Sequence, residues 1–372
     1  MVWGDYTENA DNTHTTHLLT ATPNGFIIGL HQYYYGSFMQ NQWQDLLSSL
    51  SLTLETQKIS PERGYIACLT ELEYLKVTGP DRLTFLQGQM TCDFDTIKGT
   101  LLLGANCNLK GRASATFYAI DSNETTYLIL PSGQAAHLKS LLDKYALFSD
   151  AELSLADSDS LLIGLMGDKA LSLANHPEIG ENQTITIPQA TLGRIGNSEL
   201  TLCLANTNLA QQWLKSAISS NDIDIANQQT WDQQQIALGI SQVTAETRDL
   251  FIPQELNYDL INGISFNKGC YKGQEIIARL HYRGSYKQRT ARFQCDTTTN
   301  PTPGSSIYSP ASEQPCGHVV QSTRISNNQI ELLISIKLKV LESEQLHLEQ
   351  NDGPILHKLS IPYAITNRDE TD

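Results

Sequence analysis

The sequence predicts an α+β protein: two small mixed modules packed together, followed by a small antiparallel β-barrel. Three observations lead there. From Gly64 onward, strand-like runs alternate with single amphipathic helices, and the pattern occurs twice. After Arg292 the helical period stops, and short β-rich runs alternate with turns at Pro301, Pro303, Gly304, Pro315 and Gly317. A chain of 372 residues is also long enough for two or three domains with sizeable cores.

Residues 1–60 are expected to form an N-terminal extension and a first helix. Residues 1–38 carry few charges and the run Tyr33-Tyr34-Tyr35, without the basic head and apolar core of a secretory signal. Met39 to Leu47 reads as the start of an amphipathic helix. Met39 is therefore expected to be the native start, or residues 1–38 a weakly ordered extension.

Residues 61–289 are expected to hold the two modules. Ile66–Leu69 and Leu75–Thr78 read as strands, and Pro80, Leu83 and Leu86 open a short helix that Gly88 can end. Leu101–Cys107 and Ala113–Ile120 read as strands joined by the hairpin signal Asn108-Leu109-Lys110-Gly111. Thr125–Leu130 is another strand; Ser132 is expected to cap a helix reaching about Tyr145, with Leu138, Leu141 and Leu142 on one face. Leu161–Met166 with a helix opening at Gly167-Asp168 begins the second module, which Glu199–Ala205 and a helix from Leu209 to about Ile218 continue. Trp231 leads a polar helical stretch ending near Gly239. In residues 290–362 the runs Thr290–Cys295, Ser305–Tyr308, Gly317–Gln321, Gln329–Val340 and Gln345–Glu349 suggest the barrel, and 363–372 a tail.

Composition narrows the function classes. At 40% hydrophobic and 17% charged residues, with no run approaching a membrane span, a soluble cytoplasmic protein is expected. The net charge of -15 repels nucleic acid unless basic groups cluster. From Lys268 to Arg292 they do: seven basic residues stand against the single acid Glu275, a net +6. Either an anionic ligand or a solvated basic face explains this. Seven scattered cysteines with no C-x-x-C argue against a zinc site or a whole iron–sulfur cluster held by this chain alone, so no metal is expected, and they fit a reducing compartment.

The stretch with the most chemistry is Asn267-Lys268-Gly269-Cys270-Tyr271-Lys272-Gly273-Gln274-Glu275. One thiol sits between two lysines and two glycines, just ahead of a stretch that can start a helix at Gly273. Lys268, Lys272 and the helix-terminal N–H groups would favour a Cys270 thiolate, the nucleophilic form. Gln274 and Glu275 would hold the turn, and Gly269 and Gly273 permit close backbone approach. The alternative is a buried small hydrophobe at a strand-to-helix turn.

The octet Lys268–Glu275 resembles the signature of the YgfZ family, folate-binding tRNA-modifying proteins related to the T-protein (aminomethyltransferase) of the glycine cleavage system. Phe251-Ile252-Pro253-Gln254-Glu255-Leu256-Asn257, Gly263-Ile264-Ser265-Phe266 and Phe85-Leu86-Gln87-Gly88-Gln89-Met90-Thr91 are similar to that family too. The resemblance runs from about Gly64 to the C-terminus. It implies a T-protein-like folate-binding core with a C-terminal β-barrel, and tetrahydrofolate or a derivative as cofactor. It also implies a folate cleft lined by Trp231 and, where the family has a second tryptophan, by Leu72 here; Gly269, Tyr271, Gly273, Gln274 and Glu275 belong to the same site. Trp231 could equally anchor its helix to the core.

The function that resemblance implies is a folate-binding accessory protein. Its reactive Cys270 would support iron–sulfur enzymes or cluster-assembly proteins, including a tRNA methylthiotransferase. Arg279, Arg283 and Lys287 could meet a folate glutamate tail. The competing function is aminomethyl transfer to tetrahydrofolate, which needs a carboxylate near the folate nitrogens. T-proteins carry theirs in the hairpin after a Gly-rich turn. Ala113-Ser114-Ala115 stands at that place here, and Glu246, Asp249 and Glu255 are the candidate substitutes, with surface or turn roles as the alternative. Direct stable tRNA binding is not expected, since no RNA-binding motif is present and the charge opposes it.

Overall fold

The computed structural model describes residues 29–365 except 59, 61, 157, 158, 176, 177 and 342–344, with only the backbone described for 29–38. The expectation for residues 1–28 lies outside the described residues. The first helix, Gly29–Ser49, starts ten positions before Met39 rather than at it. Met39, Trp43 and Leu46 point into the core at helical spacing, and that burial fixes this helix against the rest of the chain.

Two sheets form the core, as expected from the two alternating modules. A six-stranded sheet has the order Ile223–Ala226, Gly64–Cys68, Ser160–Met166, Leu200–Asn206, Ala190–Arg194, Thr184–Ile187, antiparallel except for its first pair. A five-stranded antiparallel sheet has the order Leu102–Cys107, Ala113–Ser122, Thr125–Pro131, Leu72–Thr78, Glu152–Leu155. The modules interleave: Gly64–Cys68 enters one sheet and Leu72–Thr78, four residues on, enters the other. Strand Ala113–Ser122 is buried on both faces, with Tyr118 and Ile120 in the core shared with the six-stranded sheet and Phe117 and Ala119 under helix Ala135–Ala146. Alternation across the pleat therefore reads as a continuous apolar run.

Helix Ala135–Ala146 buries Leu138 and Leu142, each contributing roughly 1.5–3 kcal/mol. Ser132 does not cap it. The cap is the buried Glu73 carboxylate, from a neighbouring strand, which accepts from Ala135 N at 2.6 Å. Burial raises the pKa of Glu73, while the backbone N–H groups of residues 133–135 and Arg248 pull it back. Asn206 and Asn227 do cap locally, at Thr207–Ile218 and Gln228–Ala237.

The C-terminal unit is a closed barrel of Gln288–Asp296, Gln329–Lys337, Ser312–Ser326, Ser306–Ser309, Leu346–Leu348 and Ile355–Leu359. Two expectations change. Ser312–Ser326 is one long strand through Pro315 and Gly317, absorbing its irregularity as register shifts, and residues 338–341 form a helical turn instead of strand. The last strand, Ile355–Leu359, pairs on both sides and closes the barrel. Among the described residues no helix is long and apolar enough to cross a membrane.

Candidate functional site

The three motifs of the sequence meet in one place. Thr91, fully buried, donates its hydroxyl to Gly263 O at 2.6 Å and accepts from Ala105 N at 2.9 Å, while its carbonyl accepts from Ser265 N at 2.9 Å. Lys272 N donates to Gly88 O. Gln254 Nε2 donates to Ile277 O at 2.9 Å, tying the 251–257 segment to the helix Gln274–Arg283. Gly273 caps that helix at φ +82, and a Cβ there would sit 2.5 Å from Asn108 O; at Gly111, φ +70 in the hairpin, a Cβ would sit 2.9 Å from Ile276 Cβ. Only glycine meets both demands. The Gln274 side chain reaches back to Tyr271 N at 3.3 Å, holding the turn, whereas Glu275 is exposed.

This frame leaves Cys270 exposed while the other six cysteines are buried. The flanking lysines have protein partners. Lys268 Nζ donates to Met90 O at 2.9 Å and Cys92 O at 2.6 Å; Lys272 Nζ lies 3.4 Å from Asn106 Oδ1 and 5.6 Å from the centre of the Tyr145 ring. Burial lowers the Lys268 pKa to about 8, against the pull of Cys92, Asp93 and Asp95. Burial and the like charge of Lys144 also lower that of Lys272. Each lysine acts on a buried thiol: burial pushes Cys92 up to about 12 and Cys107 higher still, with Lys268 opposing at the first and Lys272 at the second.

The remaining expected site residues divide. Tyr271 is buried beneath the loop, with Lys268 Nζ 5.2 Å from its ring centre. Gly269 is open, with nothing within 4 Å of an added Cβ, and Arg279 and Arg283 are exposed on the helix. Trp231 and Leu72 lie in the core instead. The Trp231 indole is 0% exposed and covers Gly164, where a Cβ would overlap it, so it offers no free face. The basic cluster is also thinner than its count: Arg289 pairs with buried Asp259 at 2.6 Å and Arg292 with Glu331 at 2.6 Å.

Between the sheets lies a cleft of about 250 Å³, lined by Leu101, Leu103, Tyr118, Ile195, Ile240 and Tyr363. It shares Leu101, Leu103, Asn182, Ile261 and Asn262 with a second cavity of about 540 Å³ that reaches Cys92, Phe266, His281 and Tyr282. Phe266 stacks on His281 at 3.6 Å, with Tyr282 edge-on. Tyr118 OH accepts from Gln235 Nε2 at 2.9 Å, and Tyr363 OH donates to Gly239 O at 2.7 Å. Sequence reasoning missed Tyr118, Asn182, His281 and Tyr363. None stands in a motif, and only their convergence marks them.

The candidate carboxylates have local partners. Glu255 Oε2 accepts from Ile252 N at 3.0 Å and Glu246 Oε2 from Thr244 Oγ1 at 2.7 Å. Asp249 Oδ1 accepts from Ser114 Oγ at 2.6 Å and from Asn108 Nδ2 at 2.9 Å.

No family model matches the sequence. Among curated proteins, the chain is 27% identical over 327 residues to the tRNA-modifying protein YgfZ of Aliivibrio fischeri, covering 87% of this chain and 100% of that one. It is 30% identical over 299 residues to the tRNA-modifying protein YgfZ of Blochmanniella pennsylvanica, covering 75% of this chain and 89% of the relative. The fold matches that of the glycine cleavage system aminomethyltransferase T from Bartonella henselae with a TM-score of 0.64 over 87% of this chain and 97% of that one, at 12% identity.

Proposed function

The chain belongs to the YgfZ family, and from that membership we propose that it is a folate-binding accessory protein whose Cys270 supports iron–sulfur enzymes and, through them, tRNA modification. One observation carries this reading: three motifs far apart in sequence lock into a single frame with an exposed cysteine at its outer edge. A frame that over-determines one loop is what a positioned reactive group requires.

The lining of the cleft supports the folate reading. Leu101, Leu103 and Ile240 supply apolar walls for a flat ring system, while Asn182, Asn197 and Ser198 put amide and hydroxyl groups at its edge. When bound, a reduced folate supplies a one-carbon carrier. Tyr118 would contribute to the cleft wall beside the ring, its buried hydroxyl fixed by Gln235. Arg279 and Arg283, on the helix that carries His281 and Tyr282, would receive the glutamate carboxylates.

Aminomethyl transfer is a second reading, favoured by one contact. Asp249 brings a carboxylate to Ser114, in the hairpin that otherwise lacks one.

Calorimetric titration with tetrahydrofolate, paired with complementation by Cys270→Ala, tests the proposal. Saturable binding and a folded but inactive variant support it; normal complementation refutes the thiol's role. Turnover of an aminomethyl donor that is abolished by Asp249→Asn would favour the second reading.

A further inference from the structure

Leu109, Leu147 and Phe148, at 81%, 82% and 88%, are the most exposed large apolar side chains among the described residues. They come from distant segments yet flank one loop. Leu109 tips the hairpin whose Gly111 packs on Ile276, in the first turn of the helix that follows the Cys270 loop; Ile276 is exposed as well. Leu147 and Phe148 follow Tyr145, whose ring lies beneath the ammonium of Lys272. Exposed apolar side chains grouped in this way mark an interaction surface.

Both tips are held by hydrogen bonds. Asn108 Oδ1 accepts from Lys110 N at 2.8 Å and Arg112 N at 3.2 Å; Phe148 N donates to Tyr145 O at 3.2 Å and Ser149 N to Ala146 O at 3.0 Å. The apolar groups are therefore presented in fixed positions, which lowers the ordering cost of docking.

Charge selects the occupant. Lys110 and Arg112 follow Leu109 in the hairpin, Lys144 and Lys272 both place their ammonium groups over the Tyr145 ring, and Arg279 shares the helix of Ile276, in a chain whose net charge is -15. The nearby acids are partly engaged: Asp143 pairs with Lys139 at 2.8 Å and Asp249 holds Ser114 and Asn108, leaving Glu275 and Asp150. Aliphatic leucines on both sides of the loop favour a protein over a nucleic acid, whose bases are read by stacking and hydrogen bonds.

We infer that Leu109, Ile276, Leu147 and Phe148 form a docking surface around Cys270 for a protein that presents an apolar centre ringed by carboxylates. This deepens the proposed role of Cys270 and rests on it for the chemistry that follows docking.

The test uses the full chain and three fluorescein-labelled amphipathic peptides: one with Leu and Phe anchors and Glu and Asp flanks, its Lys-flanked counterpart, and an acidic version with Ser at the anchors. Fluorescence anisotropy should show saturable, salt-sensitive binding of the first peptide alone, and saturation should slow alkylation of Cys270. Leu109→Ser with Phe148→Ser should weaken binding about tenfold or more, while Cys270 alkylation without peptide stays unchanged. Absence of binding, or full affinity in the double variant, overturns the inference. So does a tRNA, or a second copy of the chain in sedimentation, whose binding the double variant abolishes while no peptide binds. Cys270→Ala should bind the acidic peptide normally, so failure of the thiol's proposed role would leave the docking result standing.

Discussion

The Lys268 ammonium sits 2.6 Å from the carbonyl oxygen of Cys92, 176 positions earlier in the chain. With its second bond, to Met90 O, it fastens the signature loop to the end of the front motif. The charge that the sequence assigns to Cys270 is spent first on backbone oxygens, and burial makes that charge costly.

This arrangement predicts a pH effect. The folded pKa of Lys268, about 8, lies below its ordinary value near 10.5, so the unfolded chain binds more protons between the two. Lys268 therefore contributes stability that grows as pH rises through that window and is lost as pH falls through about 8. The raised pKa values of buried Cys68, Cys92, Cys107 and Cys203 act oppositely, removing stability above about pH 8.5. In urea unfolding from pH 7 to 10.5, wild type is expected to gain relative to Lys268→Met above about pH 8. A constant difference would show that the ammonium is not desolvated.

Thr91→Val keeps the shape of the side chain and removes one hydroxyl. It strips Ala105 N and Gly263 O of their partner in a buried place, at about 1–3 kcal/mol for each group. A loss of about 2–4 kcal/mol in urea unfolding is expected; a loss under about 1 would mean that water replaces the hydroxyl.

Gly273→Ala combines a positive φ with a Cβ aimed at Asn108 O. Backbone strain of this kind costs about 1–3 kcal/mol, and the clash adds to it. Gly269→Ala, in open space, should stay within about 0.5 kcal/mol of wild type. Equal thermal midpoints for the two variants would contradict the docking of hairpin on loop.

Trp231→Ala is expected to cost about 3–5 kcal/mol, as the loss of a large core side chain. Tyr118→Leu should instead weaken tetrahydrofolate about tenfold in calorimetry, about 1.4 kcal/mol. Weaker binding by Trp231→Phe at unchanged stability would return the tryptophan to the ligand.

How legible the fold was depends on the range of the forces behind each element. Hairpin 108–111, the strands on either side of it and the helix start at Gly273 follow from turn chemistry and periodicity within a few residues, and all stand where the sequence puts them. The short strands Thr184–Ile187, Ile223–Ala226 and Ile355–Leu359 carry too few residues to show a period; their partners in the sheets define them. Ser132 reads as a helix cap because local rules cannot see Glu73, which lies 62 positions before the Ala135 N–H that it accepts.

The candidate site divides in the same way. By itself the sequence determined that Cys270 stands in a glycine-flanked turn ahead of a helix, and which three motifs matter, because those are statements about neighbours along the chain. Only the tertiary structure decided that the motifs bond to one another, that Lys268 serves Met90 and Cys92, and that Trp231 fills the core while Tyr118 lines the cleft. The physical reason is that a side chain's partner is fixed by which buried polar group must be satisfied and which void must be filled, and both are set by segments that lie far apart in the sequence.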